Sequence, residues 1–410
     1  MTTKTVTADD SSEEFQRITP SDIAEALELT IKGDRANKIT TLLCLLTAYT
    51  EDAQFNIAFN SPSSTGKSYI ALEVSKLFPN EDVIKLGNCS KTAFFHEQGI
   101  FDKEKNLMTV DLSRKILIFT DMPHTGLLES LRSFLSHDEK VMTSKITDKG
   151  QKGGNRTKTI ALVGYPSVVF CTAGLRIDAQ EMTRFILLSP EVNQEKIRAG
   201  ISNAIRKEVD GEAYRAELEN NPLRQSLKRR IQAIRDEHIE DIKIIDEGKI
   251  AEWFLPLDKK VQPRHQRDVK RFMSIVKAFA LLNLWWRERG GSTITANDED
   301  IRSALELWSK ISVSQELSIA PYLYDLYVQV IVPAYWQRNP SSSDQANIGI
   351  TRHEILQKHF AIFGRPLDTQ QLRQQILPIL ESAGLITQEQ DKNDRRKILI
   401  FPTHPRDKTV

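Results

Sequence analysis

The sequence predicts an α/β protein: a parallel sheet with crossover helices, then a helical region, then a C-terminal pair of helices with a β-ribbon. Three observations carry this expectation. Up to Val192, short apolar runs alternate with helical patterns. Past Val192 the pattern turns almost wholly helical and is strongly charged. After a polar, Ser-rich stretch at 339–349 come two helical segments, then strand, polar loop and strand.

The elements follow in order. Residues 1–18 are polar and acidic and are expected to be disordered or loosely attached. They lack an apolar signal core, and no apolar run of about 20 residues occurs, so a cytoplasmic protein outside the membrane is expected. From Pro20 to Tyr49, apolar residues at helical spacing predict two helices broken at Gly33-Asp34. Five strands are expected: 55–59 ("FNIAF"), 82–87, 115–121 ("KILIFTD"), 167–174 ("SVVFCTAG") and 185–190. A helix is expected from Lys67 to Leu77, after the first strand. Residues 19–192 form the predicted core domain, and 193–338 the helical region. Within that region, 267–291 reads as one amphipathic helix closed by Gly-Gly. Residues 339–349 form a linker, and 350–410 read as a winged helix-turn-helix.

Lys+Arg number 56 against 55 Asp+Glu, so the net charge of +1 excludes a globally basic nucleic-acid binder. A DNA-binding surface must then be local. Cys44, Cys89 and Cys171 lack CxxC spacing, so neither disulfides nor zinc are indicated, and each sits among apolar residues.

The segment "FNSPSSTGKSYIALEVSKLF" carries the chemistry. Ser61, Ser63, Ser64, Thr65, Gly66, Lys67 and Ser68 lie between an apolar strand and an amphipathic helix. A phosphate loop needs backbone N–H groups that curl around a phosphate at a helix start. It also needs a lysine to reach the β/γ oxygens and a hydroxyl for Mg²⁺. Gly66, Lys67 and Ser68 supply the last glycine, the cation and the hydroxyl. Ser61 stands where the first glycine usually does, so a serine at positive φ is expected there.

An acid is needed downstream, and "ILIFTDMP" offers Asp121. Without a following Glu, either Asp121 holds the metal and the water-activating acid lies elsewhere (Glu129 is one candidate), or Asp121 is itself the base. It could also merely cap a helix. Thr172 ends an apolar strand, where a hydroxyl could orient water or simply be satisfied by its neighbours. Arg184 precedes the fifth strand; it could reach a neighbouring subunit's phosphates or pair with Glu181. In "QPRHQRDVKRF", one of Arg264, Arg267 and Arg271 could close over the γ-phosphate. Residues 140–166 read as a hairpin whose tip bears Lys149, Lys152, Arg156 and Lys158. That charge suits a DNA backbone, or solubility alone.

The order of these parts resembles AAA+ ATPases, in particular the helicase-like portion of phage and plasmid primase-helicases, and more distantly MCM-like helicases. The resemblance rests on "NSPSSTGKSYI", "KILIFTDMP", "GYPSVVFCTAG", "DAQEMTRFILLSPE" and the stretch 267–308, and covers roughly residues 31–308. It implies a P-loop NTPase parallel sheet of AAA+ type with a helical lid and a C-terminal winged helix-turn-helix. It further implies ATP and Mg²⁺, Asp121 beside the phosphate loop and an arginine finger at Arg184. A homo-oligomeric ring, presumed hexameric, acting on DNA in replication follows from it too. Ser61 and the missing Glu depart from the pattern, and no toprim or zinc-binding primase segment is present. The C-terminal unit resembles winged helices, with Arg395 and Arg396 in its wing, a type that binds duplex DNA or protein.

Overall fold

The computed structural model describes residues 15–87, 99–104, 106–121, 125–148, 156–172, 184–256, 261–339 and 348–403. Helices α1 (Pro20–Glu28) and α2 (Arg35–Leu46) flank the expected break, where Gly33 and Asp34 both adopt positive φ. Strand β1 (Ile57–Asn60) leads through the 61–66 bend into α3 (Lys67–Ser75). Strands β2 (Val83–Leu86), β3 (Ile100–Asp102), β4 (Leu107–Asp111) and β5 (Ile116–Phe119) follow, then short helices α4 (Thr125–Ser130) and α5 (Arg132–Leu135). Next come the hairpin strands β6 (Val141–Asp148) and β7 (Arg156–Val163), then β8 (Ser167–Thr172) and β9 (Ile186–Leu188).

The five expected strands form one all-parallel sheet in the order β2-β5-β8-β1-β9. The apolar runs of β1, β5, β8 and β9 are continuous because both faces are buried, whereas the edge strand β2 is half-exposed. Ile57, Phe59, Ile116, Ile118, Val169 and Cys171 face one core, with α1, α2 and α3. Ala58, Leu117, Phe119, Val168 and Phe170 face the other, with α4 and α5. Burying one such large side chain contributes about 1.5–3 kcal/mol, and the alternation fixes the register.

A second sheet, β3-β4-β7-β6, was not expected beyond its β6–β7 hairpin. The residues 15–18, expected as loose, are instead pinned. Phe15 stacks on Trp285 at 4.2 Å between ring centroids, and Asn283 exchanges two 2.9 Å hydrogen bonds with the Ile18 backbone.

Beyond β9 come α6 (Gln194–Val209), α7 (Gly211–Asn220), α8 (Pro222–Asp236), β10 (Asp241–Ile244), α9 (Glu247–Phe254) and α10 (His265–Leu282). Strands β11 (Glu288–Gly290) and β12 (Thr293–Ala296) precede α11 (Asp298–Glu316) and α12 (Pro321–Arg338). The wholly helical expectation is thus corrected: β10, β12 and β11 make a small sheet. The expected helix over 267–291 stops at Leu282, where Asn283 bonds the N-terminal segment and the chain turns into β11.

The C-terminal part has α13 (Arg352–Phe363), α14 (369–382), β13 (Ile386–Gln390) and β14 (Ile398–Pro402). Thr351 caps α13 in a reciprocal box with Glu354, and Gly364 closes it in the left-handed conformation. Helix α12 shares its apolar core with these elements, so by packing it goes with them. Most of the expected linker lies outside the described residues, but its ends meet: Asn339 makes two hydrogen bonds to the Ile348 backbone, at 3.0 and 2.9 Å. Among the described residues, no single helix is long and apolar enough to cross a membrane.

Candidate nucleotide site

The bend between β1 and α3 is set by local chemistry. Ser64 and Gly66 take positive φ, 63° and 94°, and turn the chain into the helix start. The expected serine at positive φ is therefore Ser64 and not Ser61, which continues the sheet and donates its N–H to the Thr172 carbonyl at 3.4 Å. Ser61 is buried, and its hydroxyl lies 2.5 Å from that of Thr65. Thr65 in turn donates to the Pro62 carbonyl at 3.0 Å.

Lys67 opens α3. Its ammonium donates to the carbonyls of Ser61 and Pro62, 2.8 Å each, and so folds over the bend. Burial lowers its pKa, and the negative charge of Asp121 opposes that. Ser68 donates to the Thr120 carbonyl at 3.3 Å. The helix start thus reaches across to the end of β5, beside exposed Asp121.

The strand leading to Asp121 does not adjoin β1; β8 stands between them, which sets the strand ends about 10 Å apart. Asn60 pairs with Thr172, and Phe119 pairs with Phe170 two residues earlier. Carried forward, that register places Thr172 level with both Asn60 and Asp121. Lys67, Ser68, Thr172 and Asp121 therefore share one end of the sheet. Cys171, beside Ser68 and Lys67, is buried, and burial pushes its thiol up to about 11. Cys44 is likewise buried, and Cys89 lies outside the described residues. Glu129 is exposed on α4.

The arginines stand at the other end. Arg184 precedes β9, whose Ile186 pairs with Ile57, so Arg184 is level with Phe55. That is about 20 Å along the strand from Ser61, at about 3.3 Å per residue. Its Nε donates to Ser136 Oγ at 2.9 Å. Arg267, Lys270 and Arg271 line the same cleft, which holds about 560 Å³. The expectation that one of the lid arginines closes over the γ-phosphate is thereby corrected, within one chain, for Arg267 and Arg271: α10 carries them to the opposite end of the strands. Arg264 and Arg271 both pair with buried Asp268 at 2.9 Å. Burial lowers Arg271 to about 10, still cationic at neutral pH, and lowers His137 to about 4, which keeps that imidazole uncharged in the cleft.

A second cavity, about 350 Å³, adjoins the bend itself. It runs from Thr65 and Gly66 between the Thr30–Asp34 loop and α6. Lys196 on α6 pairs with buried Asp34 and so joins the two walls. Sequence reasoning missed this wall, because α6 carries no local motif there.

No protein-family model matches this chain, and no curated protein does.

Of the expected DNA contacts, Lys149 and Lys152 lie outside the described residues, and Arg156 and Lys158 sit on β7. Arg395 and Arg396 are exposed in the loop joining β13 and β14. Arg396 pairs with Asp394 at 3.1 Å.

Proposed function

We propose that the chain is an ATP-hydrolysing DNA motor of AAA+ type, with a P-loop NTPase core, a helical lid and a C-terminal winged helix. It assembles as a ring, hexameric by the resemblance, and moves along or opens DNA in replication of a mobile element. The observation that carries the nucleotide reading is the shared end of the sheet. Lys67 folds over the Ser61–Gly66 bend there, while Ser68 meets the chain just before Asp121.

In this reading ATP takes the place of the two carbonyls on the Lys67 ammonium, which then neutralises the β/γ oxygens. Ser68 and Asp121 fit Mg²⁺: a hydroxyl and an exposed carboxylate stand at adjoining chain ends. The ion would supply positive charge against the phosphates. Thr172 orients the attacking water from between the bend and Asp121. Arg184 acts on the nucleotide of a neighbouring subunit, and exposed Arg267 lines the same cleft, whereas Arg271 is buried against Asp268. Turnover would swing the lid against the sheet and move the β6–β7 hairpin along DNA.

ATP turnover with and without single-stranded DNA tests this reading. Strong stimulation is expected. Turnover indifferent to DNA would instead make the chain a remodeller of other replication proteins. No turnover would make it a nucleotide-switched DNA-binding regulator, which the Met122 that follows Asp121 would favour.

The wing makes a separate prediction. Replacing Arg395 and Arg396 together by Ala should weaken duplex binding and lower the salt slope of log K by about 1–2, leaving ATP turnover intact. Unchanged duplex affinity, read by anisotropy, would turn the wing toward protein contacts.

A further inference from the structure

Helix α6 leaves an apolar face open. Ile197, Ile201, Ile205 and Val209 recur every four residues and are 39%, 56%, 57% and 79% exposed. Helix α7 covers a different side of α6. There Asn203 Nδ2 donates to Tyr214 Oη at 3.2 Å, both residues being buried, and Arg206 pairs with Glu217. Among the described residues of α6, Asn203 alone is buried. A contiguous row of aliphatic side chains left in water marks a contact surface. Residues four apart also form a ridge, the shape that one helix fits into the groove of another.

We propose that this row seats a second copy of the chain by entering a groove on that copy's α10, and that the contact brings the second copy's Arg184 to the bend. The proposal rests on the reading of Arg184 as acting across a subunit boundary, and names the surface that makes the boundary. Place is the first argument for this occupant. Another side of α6 walls the cavity beside Thr65 and Gly66 through Lys196, Gly200 and Lys207, so whatever covers the row stands next to the bend. Fit is the second. In the Arg184 cleft, α10 exposes Met273, and the pairs Lys270–Ser274 and Met273–Lys277 bound a groove of matching four-residue pitch. The charges agree in both signs. By helical spacing Arg198 and Glu208 share the face of the row, while the cleft carries exposed Lys270 and Asp138, with exposed Glu139 beside them. Row and groove are different surfaces of one chain, so the contact is head-to-tail and repeats until a ring closes.

Sedimentation of the full chain without nucleotide decides the matter. The wild type should form species larger than a monomer. The double variant Ile201→Asp/Ile205→Asp should need at least about thirtyfold more protein to reach half-association, the effect of removing an interface anchor. Both residues are exposed, so its melting curve should match the wild type. Should it melt early, the charge variants carry the test. Arg198→Glu, and separately Asp138→Arg/Glu139→Arg, should each weaken association about tenfold. An equal mixture of those two proteins should associate like the wild type, because each row then meets a groove of opposite charge. Wild type that stays monomeric to its solubility limit overturns the proposal; if it also floats with phosphatidylserine vesicles, the row belongs to a lipid surface. Association untouched by the isoleucine substitutions overturns it as well. A mixture that associates no better than either charge variant alone rules out the α10 groove as the occupant. ATP titration of the same samples is a separate reading: chains that associate as expected yet bind no ATP would sink the phosphate bend and leave the row in place.

Discussion

Lys67→Ala should reduce nucleotide affinity by about 100-fold or more, because a charge-assisted contact contributes about 1.5–3 kcal/mol and the ammonium is placed to make more than one. The argument is geometric. Lys67 already donates to two carbonyls at 2.8 Å, so two of its protons point into the bend. A polyphosphate arriving there exchanges neutral acceptors for charged ones, which hold an ammonium more strongly. It also opposes the burial that lowers the lysine's pKa and keeps the group cationic. Alanine leaves the bend with backbone and hydroxyl donors but no cation. The fold should survive, since the side chain bonds only the loop beside it. Isothermal titration with ATP reads the affinity, and a melting curve checks the fold. Binding that matches the wild type would remove the 61–68 bend from any phosphate role.

The main sheet was legible because β1, β5, β8 and β9 are short apolar runs buried on both faces, a pattern that polar loops interrupt cleanly. The ends of those runs were less legible. Carbonyl and hydroxyl partners at Ser61, Thr120 and Thr172 belong to neighbouring strands, and strand order is not written in any one segment. That is why Asp121 could be named while its distance from β1 could not. Strands β3 and β4 went unseen: their residues are mostly half-exposed or exposed, so "IFDKEKNLMTVD" shows no sustained apolar alternation. Strands β10 and β12 have four residues each and sit between strong helical patterns. For Arg267 and Arg271, helical spacing placed both on α10 but did not tell which edge of the sheet that helix reaches. The cavity beside the bend gave no signal at all, because segments far apart in sequence form it.

Arg184→Ala should leave ATP affinity close to wild type and lower turnover by about 10³–10⁵-fold, the range for an arginine that stabilises charge on a transferring phosphoryl group. Affinity is spared because Arg184 lies at the N-terminal edge of β9, about 20 Å from the bend by strand rise, far beyond the reach of its own side chain. Turnover is lost because the cleft it shares with exposed Arg267 and Lys270 is the cationic face a second copy would bring to a bound triphosphate. The hydrogen bond to Ser136 at 2.9 Å holds the guanidinium in that cleft. Two measurements separate this from a structural effect. Turnover per wild-type chain should rise with protein concentration as subunits associate. Adding Arg184→Ala protein to wild type should depress activity more than dilution alone, because each defective chain disables its neighbour's site. An Arg184→Ala protein that hydrolyses ATP normally, or mixtures whose activity falls only in proportion, would rule out action across the subunit boundary and return Arg184 to holding α5 against β9.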